Sequence, residues 1–405
     1  MNLADGDWLR KQRALLFRFV LLLGAVSFFA DATYEGGRSL LGPFLLVLGA
    51  SPVAVGLVAG ASEFLGYAVR YPAGLLAKSE RSRAVLLYLG YLINLVALPL
   101  LAFVHALGWA IALLFLERLG RGLRNPPKKT LLAGAGDVLG SGRIFGLHEA
   151  MDQIGAVAGP LLIAATIAGG YSRAFLWLFI PAAGAVLILL LAMRLYRRTR
   201  RLSAPTEAPA AGDVPRSNDP PSQGFFWLCV CGGVLIMGLS PMILFGYTLM
   251  SRGDWSPRLI ALGFAWSMAI SALSALVFGR AYDRYGTPAL KFPIVLVPLT
   301  MFALSAAHPS FADLVWGLTG WGLSLGAMEG MLHAAVARHA STPAARGRLF
   351  GIFDAVYGGA WMLGGLMIGW LEATQPQAVI IFSLATSVVA LYALQRHGRC
   401  RRCAP

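Results

Sequence analysis

Apolar residues in this chain gather into long runs, and polar residues are confined to short gaps between them. Twelve runs can be placed, near 18–47, 52–76, 84–105, 108–131, 146–168, 173–194, 225–250, 257–279, 289–308, 311–337, 348–371 and 376–395. A helix needs about 20 predominantly apolar residues to cross a bilayer, so each run is long enough to span. The gap between the sixth and seventh runs is different. Arg197 to Gln223 is rich in Arg, Pro, Ser and Asp and reads as a polar linker. It divides the chain into an N-terminal six-helix bundle (1–196), a cytoplasmic linker (197–223) and a C-terminal six-helix bundle (224–405) that ends in a basic tail.

Composition supports the same reading. A soluble domain carries about 25% charged residues, whereas this chain carries 13%, with 57% hydrophobic residues and a mean hydropathy of +0.67. That leaves too little polar surface to coat a water-facing body, and the same figures exclude disorder, collagen and a disulfide scaffold. A net charge of +15 points at first to nucleic acid. The placement of the charges argues otherwise. With the N-terminus in the cytoplasm, the inner segments hold 26 of the 34 Lys and Arg. Outer loops hold Arg173, Arg252 and Arg258, and Arg38, Arg70, Arg118, Arg121 and Arg124 lie within runs. This bias puts both termini in the cytoplasm and explains the basic balance without nucleic acid. The excess of 29 Arg over 5 Lys suggests a GC-rich bacterial genome, and hence the cytoplasmic (inner) membrane.

Two local patterns have to be weighed against that scheme. Arg10, Lys11 and Arg13 before an apolar run, then Ala30-Asp31-Ala32, imitate a secretory leader. Arg18 interrupts the run, however, and cleavage would leave eleven spans, so the segment reads as the uncleaved first helix. Cys400 and Cys403 form a C-x-x-C in the basic tail, but no second pair completes the four ligands of a zinc site. No metal or cofactor is expected.

The chain repeats itself. Gly142-Arg143-Ile144-Phe145-Gly146-Leu147 recurs as Gly347-Arg348-Leu349-Phe350-Gly351-Ile352, an offset of 205. Glu149 then meets Asp354, Gly159 meets Gly364, and Gly74 after span two meets Gly279 after span eight, all at the same offset. Six spans is an even number, so the copies share one orientation, as in parallel-repeat transporters. The expected fold class is therefore an all-α membrane protein with 12 transmembrane helices in two pseudo-symmetric six-helix bundles.

Gly279-Arg280-Ala281-Tyr282-Asp283-Arg284-Tyr285-Gly286 matches a G-x-x-x-D-R-x-G loop, and with it the chain resembles a major facilitator superfamily transporter. The resemblance implies that Gly279, Asp283, Arg284 and Gly286 form a conformational latch on the cytoplasmic side, with Gly74 at the matching place in the first half. There Lys78 stands where the acid belongs, and Glu80 is its nearest substitute. Arg118 followed by Gly122 resembles the family's R-x-x-x-G motif, which is linked to proton coupling. Gly155, Gly159 and Pro160 resemble the G-x-x-x-G-P motif of exporters, although Leu161, Leu162 and Ile163 replace its closing glycines. Small residues four apart also serve close helix packing whatever is carried. The stretch from Glu117 to Leu132 looks like a little-characterised bacterial branch of the superfamily.

Charges inside the bilayer supply the candidate chemistry. An ionisable group at the bilayer centre costs at least about 2.5–3.5 kcal/mol, so it needs a partner or a watery cavity. Asp31, Glu35 and Arg38 share one face of span one, and Glu117, Arg121 and Arg124 share one face of span four, with Arg118 beside it. With Glu329 of span ten, Asp31, Glu35, Arg38, Glu117, Arg118 and Arg121 form the expected substrate and proton cavity. The competing account makes this group a set of static ion pairs. Glu63 and Arg70 of span two, Glu149 and Asp152 of span five, Arg143, Arg348 and Asp354 are expected to form a structural charge network. In it Arg70 pairs with Glu149 or Asp152, and Asp354 lies near Arg346 or Arg348. Trp227, Tyr247, Trp266, Trp321 and Tyr357 suit either packing or stacking on an organic solute.

The function expected is secondary active transport of a small organic solute, proton-coupled and leaning to efflux by antiport, by a monomer whose partners are solute, protons and lipid. An uptake symporter or a lipid or lysolipid transporter of the same fold is the alternative. No G-x-x-x-x-G-K-[ST] loop is present to supply ATP drive. An intramembrane enzyme lacks a nucleophile with its base and orienting group, and H-E-x-x-H does not occur. A transport-dead sensor would have lost its cavity charge, which this chain keeps.

Overall fold

The computed structural model describes residues 3–77, 79–202, 222–253, 255–304, 310–339 and 343–402. Within them the chain is helical, with no strand. Fourteen α-helices follow in order: α1 (Leu3–Val47), α2 (Pro52–Leu76), α3 (Glu80–Ala97), α4 (Leu107–Leu139), α5 (Ser141–Thr166), α6 (Tyr171–Trp177), α7 (Phe179–Leu202), α8 (Gln223–Met237), α9 (Met242–Ser251), α10 (Pro257–Tyr285), α11 (Lys291–Leu304), α12 (Phe311–Ala337), α13 (Pro343–Thr374) and α14 (Ala378–Arg402). The sixth apolar run is divided between α6 and α7, and the seventh between α8 and α9. Residues 203–221 of the expected linker lie outside the described residues, as do Lys78, Cys403 and the side chains of Arg143 and Arg346.

Ten segments are long and apolar enough to cross a membrane on those grounds alone. Those containing α4 and α12 are not among them. In α4 the reason is charge, because Glu117, Arg118, Arg121, Arg124 and Lys128 occupy its middle. In α12 glycines and tryptophans dilute the aliphatic residues. Helix starts follow ordinary chemistry: Ser222 and Ser256 cap α8 and α10, and Ser310 with Asp313 forms a capping box on α12. Gly286, at φ +67°, takes the left-handed conformation that closes α10.

Contacts group the chain into two compact units, Met1–Gly37, Val69–Phe103 and Leu116–Asp213 in one, and Arg38–Ala68, Val104–Phe115 and Val214–Pro405 in the other. In the first unit Val26 and Ala30 of α1 pack with Leu87, Tyr91 and Leu95 of α3 and with Ala182, Ala185, Leu189 and Met193 of α7. Phe19, Val20 and Leu23 meet Leu132 and Ala135 of α4, Ile144 of α5 and Ala192. In the second unit α14 packs against α8 and α11, and α10 packs against α12.

Glycine sets how closely the helices approach. A Cβ at Gly155 would strike the Phe28 carbonyl, and one at Gly159 would strike the Ala32 carbonyl, so α5 rests directly on the α1 backbone. The second unit repeats this contact 205 residues later, where Gly364 lies on the Met237 backbone and Gly233 faces Ala360. Gly90 and Gly120 do the same for α3 and α4. In the second unit Gly56 and Gly60 of α2 press on Gly365 and Met362 of α13, and Gly42 of α1 presses on Ile243 and Tyr247 of α9. Space is open around Gly279, and around Gly74 the nearest atom is Pro126 Cβ at 4.0 Å.

Over-packing of this kind costs about 1–3 kcal/mol. Gly159→Val is therefore expected to lower the thermal midpoint of the detergent-solubilised protein by several degrees. Gly74→Ala and Gly279→Ala should leave it unchanged, as followed by size-exclusion chromatography after heating.

Candidate functional site

The Gly90–Gly120 crossing places α3 side chains directly on the charged face of α4. Asn94 Nδ2 donates to Glu117 Oε1 at 2.6 Å, and Arg118 Nε lies 3.5 Å from Glu117 Oε2. The Arg118 guanidinium donates to the Tyr34 hydroxyl of α1. Arg121 stacks on the Tyr34 ring at 4.1 Å, and Arg124 on the Tyr91 ring at 4.5 Å. Glu117, Arg118 and Arg124 are all buried, Arg124 at 1% exposure.

The second crossing, of Gly155 and Gly159 on α1, brings the start of α5 to the same place. Arg124 Nη2 lies 3.6 Å from Asp31 Oδ1, and Lys128 Nζ lies 3.5 Å from Asp152 Oδ2 and 3.4 Å from Ser27 Oγ. His148 Nε2 sits 3.1 Å from Ser27 Oγ and 3.7 Å from Asp152. Glu35, buried, is one turn beyond Asp31. The result is a continuous ladder in the first unit, Glu117–Arg118–Arg121–Arg124–Lys128 along α4, met by Asp31 of α1 and by His148 and Asp152 of α5.

Six buried polar atoms of this ladder have no hydrogen-bond partner among the described residues: Arg124 Nε and Nη1, the Tyr91 hydroxyl, Asn94 Oδ1, His148 Nδ1 and Asp152 Oδ1. Leaving a buried donor or acceptor unpaired costs about 1–3 kcal/mol each. A purely structural crosslink would not gather so many in one place.

Several sequence expectations change. Asp152 pairs with Lys128 and His148, not with Arg70, and so joins the ladder. Glu149 is exposed and accepts from Gln153 Nε2 at 2.8 Å. Arg38 falls in the second unit, where Nη2 meets Glu63 Oε1 at 3.0 Å. Asp354 Oδ1 lies 3.6 Å from His333 Nε2 of α12, and Glu329, exposed one turn before, accepts at its carbonyl from His333 Nδ1 at 2.9 Å. Arg348 is exposed at the start of α13. Asp283 reaches Arg338 at the end of α12 at 3.4 Å, while Arg338 lies over the Tyr282 ring. Three of the aromatic candidates serve the fold: Trp321 Nε1 donates to Ser240 O, Trp266 Nε1 to Thr319 Oγ1, and Tyr247 to Ala50 O, whereas Tyr357 is buried with its hydroxyl unpaired among the described residues.

Sequence reasoning missed Ser27, Tyr34, Tyr91, Asn94 and Lys128. For Lys128 a signal was present, since Glu117, Arg121, Arg124 and Lys128 follow one helical stripe. The fourth run, placed at 108–131, passes through Pro126 and Pro127, and α4 likewise runs through both and on to Leu139. A membrane helix tolerates such prolines when its neighbours satisfy the freed backbone groups.

Apolar helices around a buried, charged ladder define a polytopic membrane transporter. A model of the Major Facilitator Superfamily matches residues 20–365. An uncharacterised protein of Mycobacterium tuberculosis is 35% identical over 383 residues, 93% of this chain and 91% of that protein. An uncharacterised MFS-type transporter of Methanocaldococcus jannaschii is 31% identical over 150 residues, covering 36% of this chain and 37% of its own. Among solved structures, the nucleoside transporter NupG superposes with a TM-score of 0.73 at 17% identity, covering 94% of this chain and 99% of its own. A POT family transporter in complex with 5-aminolevulinic acid gives 0.74 at 14%, covering 95% and 96%. The chain belongs to the major facilitator superfamily.

Removing one partner of a buried ion pair costs about 3–5 kcal/mol, because the other charge is stranded. Lys128→Met should therefore destabilise the protein more than the double variant Lys128→Met/Asp152→Asn. Thermal midpoints of the two single variants and the double variant measure the coupling. Equal, additive losses would show that the pair is not coupled.

Proposed function

We propose that this chain is a proton-coupled secondary transporter that carries a small organic solute by alternating access. In this reading it works as a monomer in the cytoplasmic membrane with both termini inside, and the bundles 1–196 and 224–405 move about the linker 197–223. One observation carries the proposal: the unpaired buried atoms around Arg124, Tyr91, Asn94 and His148 stand beside three carboxylate–cation pairs. Those atoms require an outside partner, solute or solvent, at the place where a carboxylate can exchange a cation for a proton. An acid facing a guanidinium stays ionised, and one that loses that contact in a low-dielectric site takes up a proton. Asp31 is the proton carrier in this reading, since it has a single cation partner, Arg124, at 3.6 Å, whereas Asp152 has two neighbours in Lys128 and His148.

Asp283, Arg284 and Gly286, with Gly279 and Gly74, form the latch of this mechanism. The Asp283–Arg338 pair is exposed and worth little in stability, as suits a contact that is made and broken. Open space at Gly74 and Gly279 leaves room for closer packing in another state. The structural neighbours, a nucleoside transporter and a POT family transporter in complex with 5-aminolevulinic acid, support an organic solute. Export had its sequence support in Gly155, Gly159 and Pro160. Both glycines form the α1–α5 contact, which small residues make whatever is carried, and uptake by symport stands beside export as the second reading.

Vesicles containing the purified protein and a pH-sensitive dye, challenged with a library of neutral, cationic and anionic solutes, test the proposal. Wild type is expected to move protons with at least one solute, and Asp31→Asn to move none while eluting as a folded protein. Proton movement that survives in Asp31→Asn, or is absent for every solute in wild type, overturns it.

A further inference from the structure

The charge ladder also indicates what class of solute it takes, given that this cluster is the transport site. Its cations are not equally committed. Arg118 is held by Glu117 and the Tyr34 hydroxyl, and Arg121 lies on the Tyr34 ring. Arg124 is different. Its Nε and Nη1 donate to nothing among the described residues, its face covers Tyr91, and its single carboxylate contact is 3.6 Å long. Lys128, one turn further along α4, makes only long contacts of 3.4 and 3.5 Å. Two cations one turn apart on a helix stand about 5–6 Å from each other at their Cβ atoms, within reach of the two oxygens of one carboxylate. Arg in particular presents N–H donors in a fixed fork that fits such a group.

The carboxylates are not equally committed either. Asp152 has two partners on Oδ2, Lys128 at 3.5 Å and His148 at 3.7 Å, whereas Asp31 has the one contact to Arg124 at 3.6 Å. Charged groups acting on Asp31 come from every helix around it: Arg121, Arg124 and Lys128 on α4, and Asp152 on α5. Glu35 lies one turn away on α1, and α3 contributes the neutral Tyr91. Glu117 pairs with Arg118, Asp31 with Arg124 and Asp152 with Lys128, so the paired charges of the ladder cancel. Adding an organic anion would leave one negative charge too many. Adding the same anion with one proton would not.

We propose that the solute is an organic anion whose carboxylate takes the place of Asp31 on Arg124 and Lys128, while Asp31 accepts a proton. The solute carboxylate forms charge-assisted hydrogen bonds to Arg124, the Asp31–Arg124 pair breaks, and a proton from solvent binds an Asp31 oxygen. One monoanion and one proton enter together, and the net charge of the ladder is unchanged. The movement is electroneutral symport.

Proton uptake on ligand addition tests this directly, without knowledge of the natural solute. Formate, acetate and benzoate are the probes, with ethylamine, benzylamine and benzamide as controls, added to lightly buffered detergent-solubilised protein at pH 7.5. The carboxylates are expected to raise the thermal midpoint of wild type and to draw in about one proton per site, the number fixed by exchanging one ion pair. In Asp31→Asn, which lacks the internal competitor, benzoate should bind about tenfold more tightly, a difference of roughly 1.4 kcal/mol, with no proton uptake. Arg124→Gln should lose the benzoate response, and Arg124→Lys should recover part of it, which separates recognition from a folding defect. Stabilisation by the amines and not the carboxylates overturns the inference. So does binding of carboxylate without proton uptake, or no response to any of the three. If vesicle assays still show proton-linked movement of a cationic or neutral solute, the transport reading stands and only the anion assignment fails.

Discussion

A guanidinium buried within a bilayer-spanning helix has to be neutralised where it stands, and at Arg124 three helices are arranged to do so. Asp31 comes from α1, the Tyr91 ring from α3, and the next cation along α4, Lys128, brings Asp152 of α5 with it. Asp31 and Asp152 carry short side chains, which reach the α4 cations only where the backbones lie close. The glycine contacts at Gly90–Gly120 and at Gly155 and Gly159 bring the backbones together, so the charged ladder and the glycine crossings depend on each other. Either without the other would leave stranded charge or an unfilled gap.

The protection is incomplete, and that is informative. A dry structural crosslink would pair every donor and acceptor, because unsatisfied polar atoms are costly in a low-dielectric interior. Here six unpaired atoms stand on neighbouring stretches of α3, α4 and α5 beside three carboxylate–cation pairs, whereas those of the second unit are scattered over several helices. The site holds its charges firmly enough to fold, with hydrogen-bonding capacity left over. A binding site that must release what it takes up needs both properties.

Much of this was legible in the sequence. Long apolar runs specify membrane helices by length alone, and the 205-residue offset foretold not only a repeated motif but a repeated contact, since Gly159 on Ala32 recurs as Gly364 on Met237. Helical spacing put Asp31 and Glu35 on one face, and Arg121 and Arg124 on another. Which faces would meet was not legible, because spacing within a helix says nothing of its rotation against its neighbours. Thus Arg38 turned to Glu63 and Asp152 to Lys128. Neutral partners such as Asn94, Tyr34 and Ser27 carry no charge signal, and they become visible only once the helices are in place.

The contact between Gly42 and Tyr247 has a consequence of its own. The two residues are 205 positions apart, so each touches its own counterpart in the repeat. Were the copies identical, as in a dimer of two equal chains, that position would have to fit against itself and could never be bulky on both sides. Joining the copies covalently lifts the restriction. One keeps the smallest residue, and the other carries a tyrosine whose hydroxyl donates to the Ala50 carbonyl 2.9 Å away. Fusion thereby permits a lopsided fit that no assembly of equals could build, and it commits this chain to a fixed pairing of dissimilar partners.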